Sequence, residues 1–184
     1  ENGGQPGEYD YFLSVLFPRS ELKIMPYNRV LKDLNGHTPE ELLSLISKDF
    51  SVEDCGDNAV EPEEKGTCGL YLDGKWYRLT ASDRIRTDDP VKGLDVSLLQ
   101  DRILEPLFGI ADPAADKRID FVGGIRGTKE LEKRCREDCA AAFSMHPTSM
   151  DELFAVADAG MLMPPKSTWF EPKLLSGLFI HMLK

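Results

Sequence analysis

A β-hairpin is the feature of this sequence that most constrains its fold. The run CGLYLDGKWYRLT places Asp73-Gly74 between two stretches of strand-forming residues. An Asp-Gly pair readily adopts the left-handed backbone of a two-residue hairpin turn, and such a turn also fixes the register of its strands. We predict that Tyr71 faces Trp76 and that Leu70 faces Tyr77 across the hairpin. The chain must therefore contain a β-sheet.

Helix signals are clearest at Thr38-Pro39-Glu40-Glu41, which supplies a capping Thr, a Pro at the first helical position and a Glu three residues after the cap. This pattern predicts an amphipathic helix that runs to about residue 50. Three further helices are predicted over residues 95–105, with Asp95 as cap and Pro106 at the end, over residues 128–138, and after a capping Thr148, with Gly160 as the stop.

Strands are predicted at four other places: residues 11–17, 119–122, 140–145 and 177–183. Within residues 22–34, Pro26 predicts a bend or a sheet edge. Residues 51–66 are acidic and carry no apolar period, which is typical of a solvated loop. The expected fold is α+β: a mixed β-sheet backed by helices, with a β-hairpin and a C-terminal β-α-β-α-β stretch. Residues 1–8 are predicted to be a tail or linker, and residues 9–184 a single α+β domain.

Charge narrows the choice of partners. The formal net charge of the 184 residues is −10. Nine acids and one base fall within residues 40–64, so most of this charge belongs to one helix start and the loop after it. An acidic chain disfavours broad nucleic-acid or anionic-membrane binding but leaves room for a local anion site. No apolar run is long enough to span a membrane, and we expect a cytoplasmic protein.

Four cysteines are present: Cys55, Cys68, Cys135 and Cys139. A chain of this size needs no disulfide staples, and the spacings include no Cys-x-x-Cys. We expect free thiols and no metal site.

A glycine-rich turn before a helix is the first candidate site. In IDFVGGIRG, Gly123 and Gly124 would let backbone N–H groups approach an anion, and Arg126 could clamp a phosphate or carboxylate. The spacing matches neither the P-loop nor the dinucleotide fingerprint. A tight strand-to-helix turn that needs positive φ explains the same glycines.

The second candidate is the segment MPPKSTWFEPK, which is basic within an acidic chain. Lys166, Ser167, Thr168 and Lys173 offer two cations and two hydroxyls beside aromatic side chains. Chemically dense loops are often functional. The same residues also fit a rigid connector whose aromatics fill the core and whose lysines are solvated.

The third candidate consists of polar residues embedded in apolar runs. A structural role, in which they satisfy backbone groups, is the favoured interpretation. His146 and His181 are assigned no role. The residues of this set are Tyr27, Asn28, Arg29, Asp95 and Gln100.

The runs MPPKSTWFEPKLLSGLFIH, YFLSVLFP, YNRVLKDLNG, LDVSLLQ, IDFVGGIRG and HPTSMDELFAVADAG resemble a bacterial family called domain of unknown function 1015. The resemblance covers nearly the whole chain. It implies that members are roughly twice this long and carry upstream an Asp-Gly-His-His-Arg segment similar to the ParB and sulfiredoxin-like fold. This chain lacks that segment and would correspond to the C-terminal half, in line with its first residue, Glu1.

The resemblance implies a function only by analogy, because proteins with the ParB-like motif include a free-serine kinase. We expect part of a cleft that binds an anionic small metabolite or a nucleotide, with phosphoryl transfer in a longer protein and an inactive isolated chain. The competing expectation is a non-catalytic domain that packs on its other half or on a second copy.

Overall fold

The computed structural model describes residues 7–173, 175 and 177–182. The chain divides into two units. One consists of Glu1–Lys23 and Phe170–Lys184, and the other of Ile24–Trp169. The larger unit contains nearly all of the regular structure, and each unit is described by itself.

A six-stranded antiparallel sheet forms the centre of the larger unit, in the spatial order β3-β5-β4-β7-β2-β6. Strand β2 lies between β6 and β7 and is antiparallel to both, so β6 and β7 point the same way without being neighbours. The strands of the chain are β1 (Lys23–Met25), β2 (Tyr27–Leu31), β3 (Phe50–Gly56), β4 (Thr67–Leu72), β5 (Lys75–Ala81), β6 (Ile119–Gly123), β7 (Ala141–Met145) and β8 (Trp169–Glu171).

Helices cover both faces of this sheet, which confirms the α+β class. Because side chains alternate along a strand, Leu31 of β2 packs on one face with helix residues such as Leu42, and Val30 packs on the other face with Leu131. The helices are α1 (Pro39–Ile46), α2 (Asp95–Leu99), α3 (Glu105–Phe108), α4 (Gly127–Glu137) and α5 (Met150–Asp158), with a π-helical segment (Gln100–Leu104) between α2 and α3. None of the helices in the described residues is long and apolar enough to cross a bilayer.

The hairpin prediction is confirmed in its register. Strands β4 and β5 pair with Tyr71 opposite Trp76 and Leu70 opposite Tyr77. Asp73 turns the chain with a φ of +48°, as the two-residue turn requires.

Strand β3 corrects the first part of the predicted loop: residues 51–56 belong to the strand, and residues 57–66 form the loop. Its residues pair with β5 from Phe50 opposite Ala81 onward, and β3 is one of the two outer strands of the sheet. An outer strand has water on one side, so it tolerates Glu53 and Asp54, and charges there also discourage edge-to-edge association. Because Phe50 is the first residue of β3, α1 does not reach residue 50 and ends at Ile46.

Two predicted strands are wrong. Residues 11–17 form no strand and expose most of their large side chains, with Phe12 84% and Leu16 91% accessible. Residues 177–182 form no strand either, and Leu183 lies outside the described residues. An apolar run becomes a strand only where a neighbouring strand supplies hydrogen bonds, and neither run pairs with the six-stranded sheet.

Two helix caps also differ from the prediction. The cap of α2 is Leu94, while the Asp95 carboxylate accepts hydrogen bonds from the backbone N–H of Gly66 at 2.9 and 3.0 Å. The cap of α5 is Ser149, which forms a capping box with Glu152. Thr148 Oγ1 instead donates to the carbonyl of Ser167, so its hydroxyl links the start of α5 to residues 163–168, which we call the MPPKST segment.

Pro106 does not end its helix. The chain continues as α3 and stops at Gly109, which adopts a left-handed backbone. The preceding turn, residues 100–104, is π-helical. A Pro ring clashes with the carbonyl four residues earlier in a regular helix, and the wider π turn is placed where that clash would occur.

Candidate functional site

A cavity of about 390 Å³ opens where β2 and β6 approach the helical stretch of residues 95–108. We call it the Arg29 cavity. Its apolar wall comes from β6, from the helical stretch and from the segment before β8, through Val96, Leu104, Phe121, Leu162, Pro164 and Pro165. Its polar groups are Arg29, Lys92, Ser97, Gln100, Asp101 and Asp112.

Arg29 is the buried cation of this cavity, with 4% of its surface accessible. It lies on β2 directly opposite Phe121 of β6, and its guanidinium carbon is 5.7 Å from the centre of the Phe121 ring. Two residues further along β2, Leu31 enters the core on the same face. Because side chains alternate along β2, Arg29 lies on the same face as Leu31, next to the apolar core.

The Arg29 guanidinium donates to two backbone carbonyls, those of Tyr27 and Lys166, the latter at 3.3 Å. No carboxylate of the described residues forms an ion pair with it. Burial lowers the pKa of Arg29 to about 10, so the group keeps its charge at neutral pH. The cavity therefore contains a desolvated positive charge that forms no ion pair with any acid of the described residues.

Gln100, the first residue of the π-helical segment, lines the same cavity. Its Nε2 donates to the carbonyl of Ile110 at 2.7 Å, whereas its Oε1 is buried and accepts no hydrogen bond from any described residue. Nearby, Ser97 Oγ donates to the carbonyl of Val91 at 2.6 Å, which leaves its lone pairs as acceptors.

The segment before β8 borders the cavity through its two prolines. Lys166 follows them with a φ of +57°, a left-handed backbone unusual for Lys. Its Nζ lies 5.7 Å from the Tyr27 ring centre and 5.8 Å from that of Phe121. Both Lys166 and Arg29 thus contact the Phe121 ring.

The other predicted residues of this segment are placed differently. Ser167 is 5% accessible and takes part through its carbonyl, which accepts from Thr148. Thr168 is half-buried. Lys173 is exposed and belongs to the other unit of the chain.

The glycine turn packs beside the same aromatic residues. A Cβ on Gly123 would lie 2.7 Å from the Trp169 ring, and a Cβ on Gly124 would lie 2.4 Å from Pro26. The Tyr27 ring is 5.5 Å from Phe121 and 5.3 Å from Trp169. Close packing therefore accounts for both glycines, and the turn and the MPPKST segment meet around Tyr27.

Acidic side chains surround the end of the glycine turn. Arg126 is exposed and lies 3.8 Å from Glu130, and Thr128 Oγ1 donates to Glu61 at 3.5 Å. Glu130 and Glu61 compete with any anion for the start of α4.

Asp95 occupies a second cavity of about 400 Å³, which it lines together with Lys65 and Arg86. Burial raises the pKa of Asp95 to about 6. One of its oxygens lies 3.8 Å from His146 Nδ1. The third candidate set is thus split: Arg29 and Gln100 share one cavity, Asp95 lines another, and Asn28 Oδ1 accepts from the Met145 N–H.

Several cavity residues gave no signal in the sequence. Lys92, Asp101 and Asp112 are exposed charges in loops or on a helix surface, and such charges are usually just solvated. Of the cavity residues, Arg29 and Gln100 could be noticed in the sequence, because each is a polar residue within an apolar run. The four cysteines are free thiols, and no group of three or more His, Cys, Asp or Glu among the described residues is placed to hold a metal ion.

Comparisons with known proteins place the chain in a family. The family model "Protein of unknown function (DUF1015)" matches residues 1–97, more than half of the chain. Curated protein sequences include no match. Solved structures of free serine kinase mutants in complex with AMP and with ADP match with a TM-score of 0.49 and 12% identity. Each match covers 82% of this chain and 54% of the other, so the chain spans about half the length of these structures.

Proposed function

We propose that this chain, which belongs to the DUF1015 family, binds a small organic anion in the Arg29 cavity. One observation carries the proposal: the buried Arg29 guanidinium lines an open cavity and forms no ion pair with the described residues. Removing a charge from water is costly unless an opposite charge accompanies it. A bound phosphate or carboxylate would supply that charge.

The shape and lining of the cavity favour an organic ligand over a bare ion. Its volume of about 390 Å³ lies in the range of small-molecule sites, which combine apolar walls with a few polar groups. Phe121 offers a flat face and Leu104 an aliphatic one. A guanidinium binds the acid group with two parallel hydrogen bonds, while the walls hold the remainder of the molecule.

Lys166 adds a cation beside this site, next to the two prolines that line the cavity. Its Nζ and the Arg29 guanidinium each lie within 6 Å of the Phe121 ring centre. None of the other residues predicted from the sequence lines the Arg29 cavity, and their role as ligand contacts stays a prediction: Ser167, Thr168, Lys173, Gly123, Gly124 and Arg126. Nucleotides remain candidate ligands, and phosphoryl transfer in a longer protein remains a further proposal, because lysine, arginine and hydroxyl groups suit the neutralisation of phosphate charge.

Calorimetric titration of the chain with AMP, ADP and inorganic phosphate tests the proposal. Arg29→Met removes the charge while retaining most of the length, and Arg78→Gln removes an exposed arginine of β5 as the matched control. We expect saturable binding of at least one anion to the unmodified chain and to R78Q, and loss of that binding in R29M. Binding that survives in R29M would refute the proposal.

A second candidate function is a non-catalytic interaction domain, and exposed apolar residues of the smaller unit favour it. The described part of that unit exposes more than half of each of nine large apolar side chains: Tyr11, Phe12, Leu13, Leu16, Leu175, Leu178, Phe179, Ile180 and Met182. Exposed apolar surface often marks protein contacts. Sedimentation equilibrium tests the self-association form of this idea, since Phe12→Ser together with Phe179→Ser should shift a dimer to monomer.

A further inference from the structure

The Arg29 cavity offers hydrogen-bond acceptors as well as cations. Gln100 Oε1 is buried without a partner among the described residues, and Gln100 forms part of the cavity wall. Nearly all buried polar atoms in proteins are hydrogen-bonded, so an exception requires a physical explanation. A ligand that donates a hydrogen bond to this oxygen is one explanation.

The orientation of the Gln100 amide is fixed by its other end. Nε2 donates to the carbonyl of Ile110 at 2.7 Å, so the amide cannot turn over without leaving that carbonyl unpaired. Oε1 is therefore held as an acceptor.

The local backbone supports a role for this wall. Gln100, Asp101 and Leu104 all line the cavity, and all belong to the π-helical segment. A π turn is less stable than an α turn and is found frequently at functional sites. Here it brings these three side chains to the cavity from one turn of the chain.

The charges around the cavity indicate a ligand with two kinds of polar group. Arg29 and Lys92 supply two positive charges, and Asp101 and Asp112 supply two negative charges. Ser97 Oγ adds a neutral acceptor, since its proton is given to the carbonyl of Val91. A simple anion would meet the cations and leave the acceptors unmatched.

We infer that the ligand of the Arg29 cavity is an acid that also carries an O–H or N–H donor, a hydroxy acid or an amino acid with an apolar body, and that Gln100 is the residue that selects for this donor. This inference rests on the proposed function, because it presumes that Arg29 binds the acid group.

Three compounds of nearly the same shape test the inference by calorimetry. Phenylpropanoate carries only the acid group, phenyllactate adds a hydroxyl, and phenylalanine adds an ammonium. The unmodified chain should bind phenyllactate or phenylalanine roughly tenfold more tightly than phenylpropanoate, because an unpaired buried acceptor is costly. The compound that gains affinity identifies whether the donor is O–H or N–H.

Gln100→Met retains the length of the side chain and removes its polar atoms. We expect Q100M to bind all three compounds equally, with unchanged affinity for phenylpropanoate. If Q100M does not fold, as judged by circular dichroism, Gln100→Glu supplies the test. It keeps acceptor oxygens and should keep the preference for phenylalanine over phenylpropanoate.

Equal affinities in the unmodified chain, a preference that persists in Q100M, or binding of none of the three compounds would overturn the inference. Binding of AMP, ADP or phosphate that depends on Arg29, with no binding of the three acids, would refute the inference and leave the proposed function standing. Failure of every anion to bind would refute both.

Discussion

The guanidinium of Arg29 donates a hydrogen bond to the backbone carbonyl of Lys166 at 3.3 Å, across 137 residues of sequence. This bond joins β2 to the segment before β8 at a residue whose φ is +57°. The Arg29 guanidinium and the Lys166 ammonium both lie within 6 Å of the centre of the Phe121 ring. Arg29 therefore has two roles, as a charge in the cavity and as a support for the backbone of Lys166.

The backbone of Lys166 gives a first prediction. Lys166→Gly and Lys166→Ala both remove the ammonium group, but only glycine adopts a positive φ without strain. Denaturation in urea should show K166G more stable than K166A by about 1 kcal/mol. Both variants should weaken anion binding, whereas Lys129→Ala, a change at an exposed lysine of α4, should leave it unchanged. Equal stability of K166G and K166A would contradict the left-handed conformation.

Replacement of Arg29 gives a second prediction, on stability. A buried charge without an ion-pair partner offsets much of the benefit of its hydrogen bonds. We expect Arg29→Met to lower the free energy of unfolding by less than about 1 kcal/mol, or to raise it. Two residues away on the same strand, Leu31 is fully buried, and Leu31→Ala should cost about 3 kcal/mol. Equal losses in the two variants would mean that Arg29 is an ordinary core residue.

The carboxyl group of Asp95 predicts a pH dependence of stability. Burial raises the pKa of Asp95 to about 6 in the folded chain, from 3.8. The folded state therefore holds this proton more tightly, so the contribution of Asp95 to stability is present at low pH and is lost as the pH rises through about 6. Asp95→Asn should remove that decline and raise the free energy of unfolding at neutral pH by about 2 kcal/mol.

Thermal and urea unfolding between pH 4 and pH 7 measure this effect, with Asp83→Asn as the control. Asp83 is fully exposed, and its replacement should leave the pH profile as it is in the unmodified chain. A D95N profile that runs parallel to the unmodified one would show that Asp95 is not the group responsible.

The start of α5 gives a fourth prediction. Ser149 accepts from the Glu152 N–H at 3.2 Å, as a helix cap does, so Ser149→Ala should destabilise the chain by about 1 kcal/mol. Thr148→Val leaves this cap intact but removes the donor to the Ser167 carbonyl. It should therefore weaken ligand binding through the MPPKST segment, and S149A should not. Chemical denaturation and calorimetry separate the two effects.

Local signals in the sequence predicted the elements whose geometry is local. The Asp73-Gly74 turn fixed the register of β4 and β5, and the capping box at Thr38 marked the start of α1. The failures involve partners that are distant in sequence. Acidic β3 is a strand because β5 lies beside it, and residues 11–17 are not a strand because no neighbour pairs with them in the six-stranded sheet.

The same distinction holds for the candidate site. The motifs around Gly123 and around Lys166 are each a continuous run of residues, so each can be recognised in the sequence. The structure brings the two runs together around Tyr27. The cavity itself is assembled from Arg29, Gln100 and loop residues that are far apart in sequence. A polar residue in an apolar run shows that something must satisfy it, but it does not show which residues will share its cavity.

Nuclear magnetic resonance of the arginine side chains tests the central claim most directly. In a chain labelled with nitrogen-15, titration with AMP, ADP and phosphate should shift the Arg29 Nε–H signal saturably for the anion that binds. The backbone amides of Lys92, Ser97 and Gln100 should move with it, and those of Gly124–Arg126 should stay near their free positions. Saturable shifts confined to residues 124–126, with the Arg29 signal unchanged, would contradict the account.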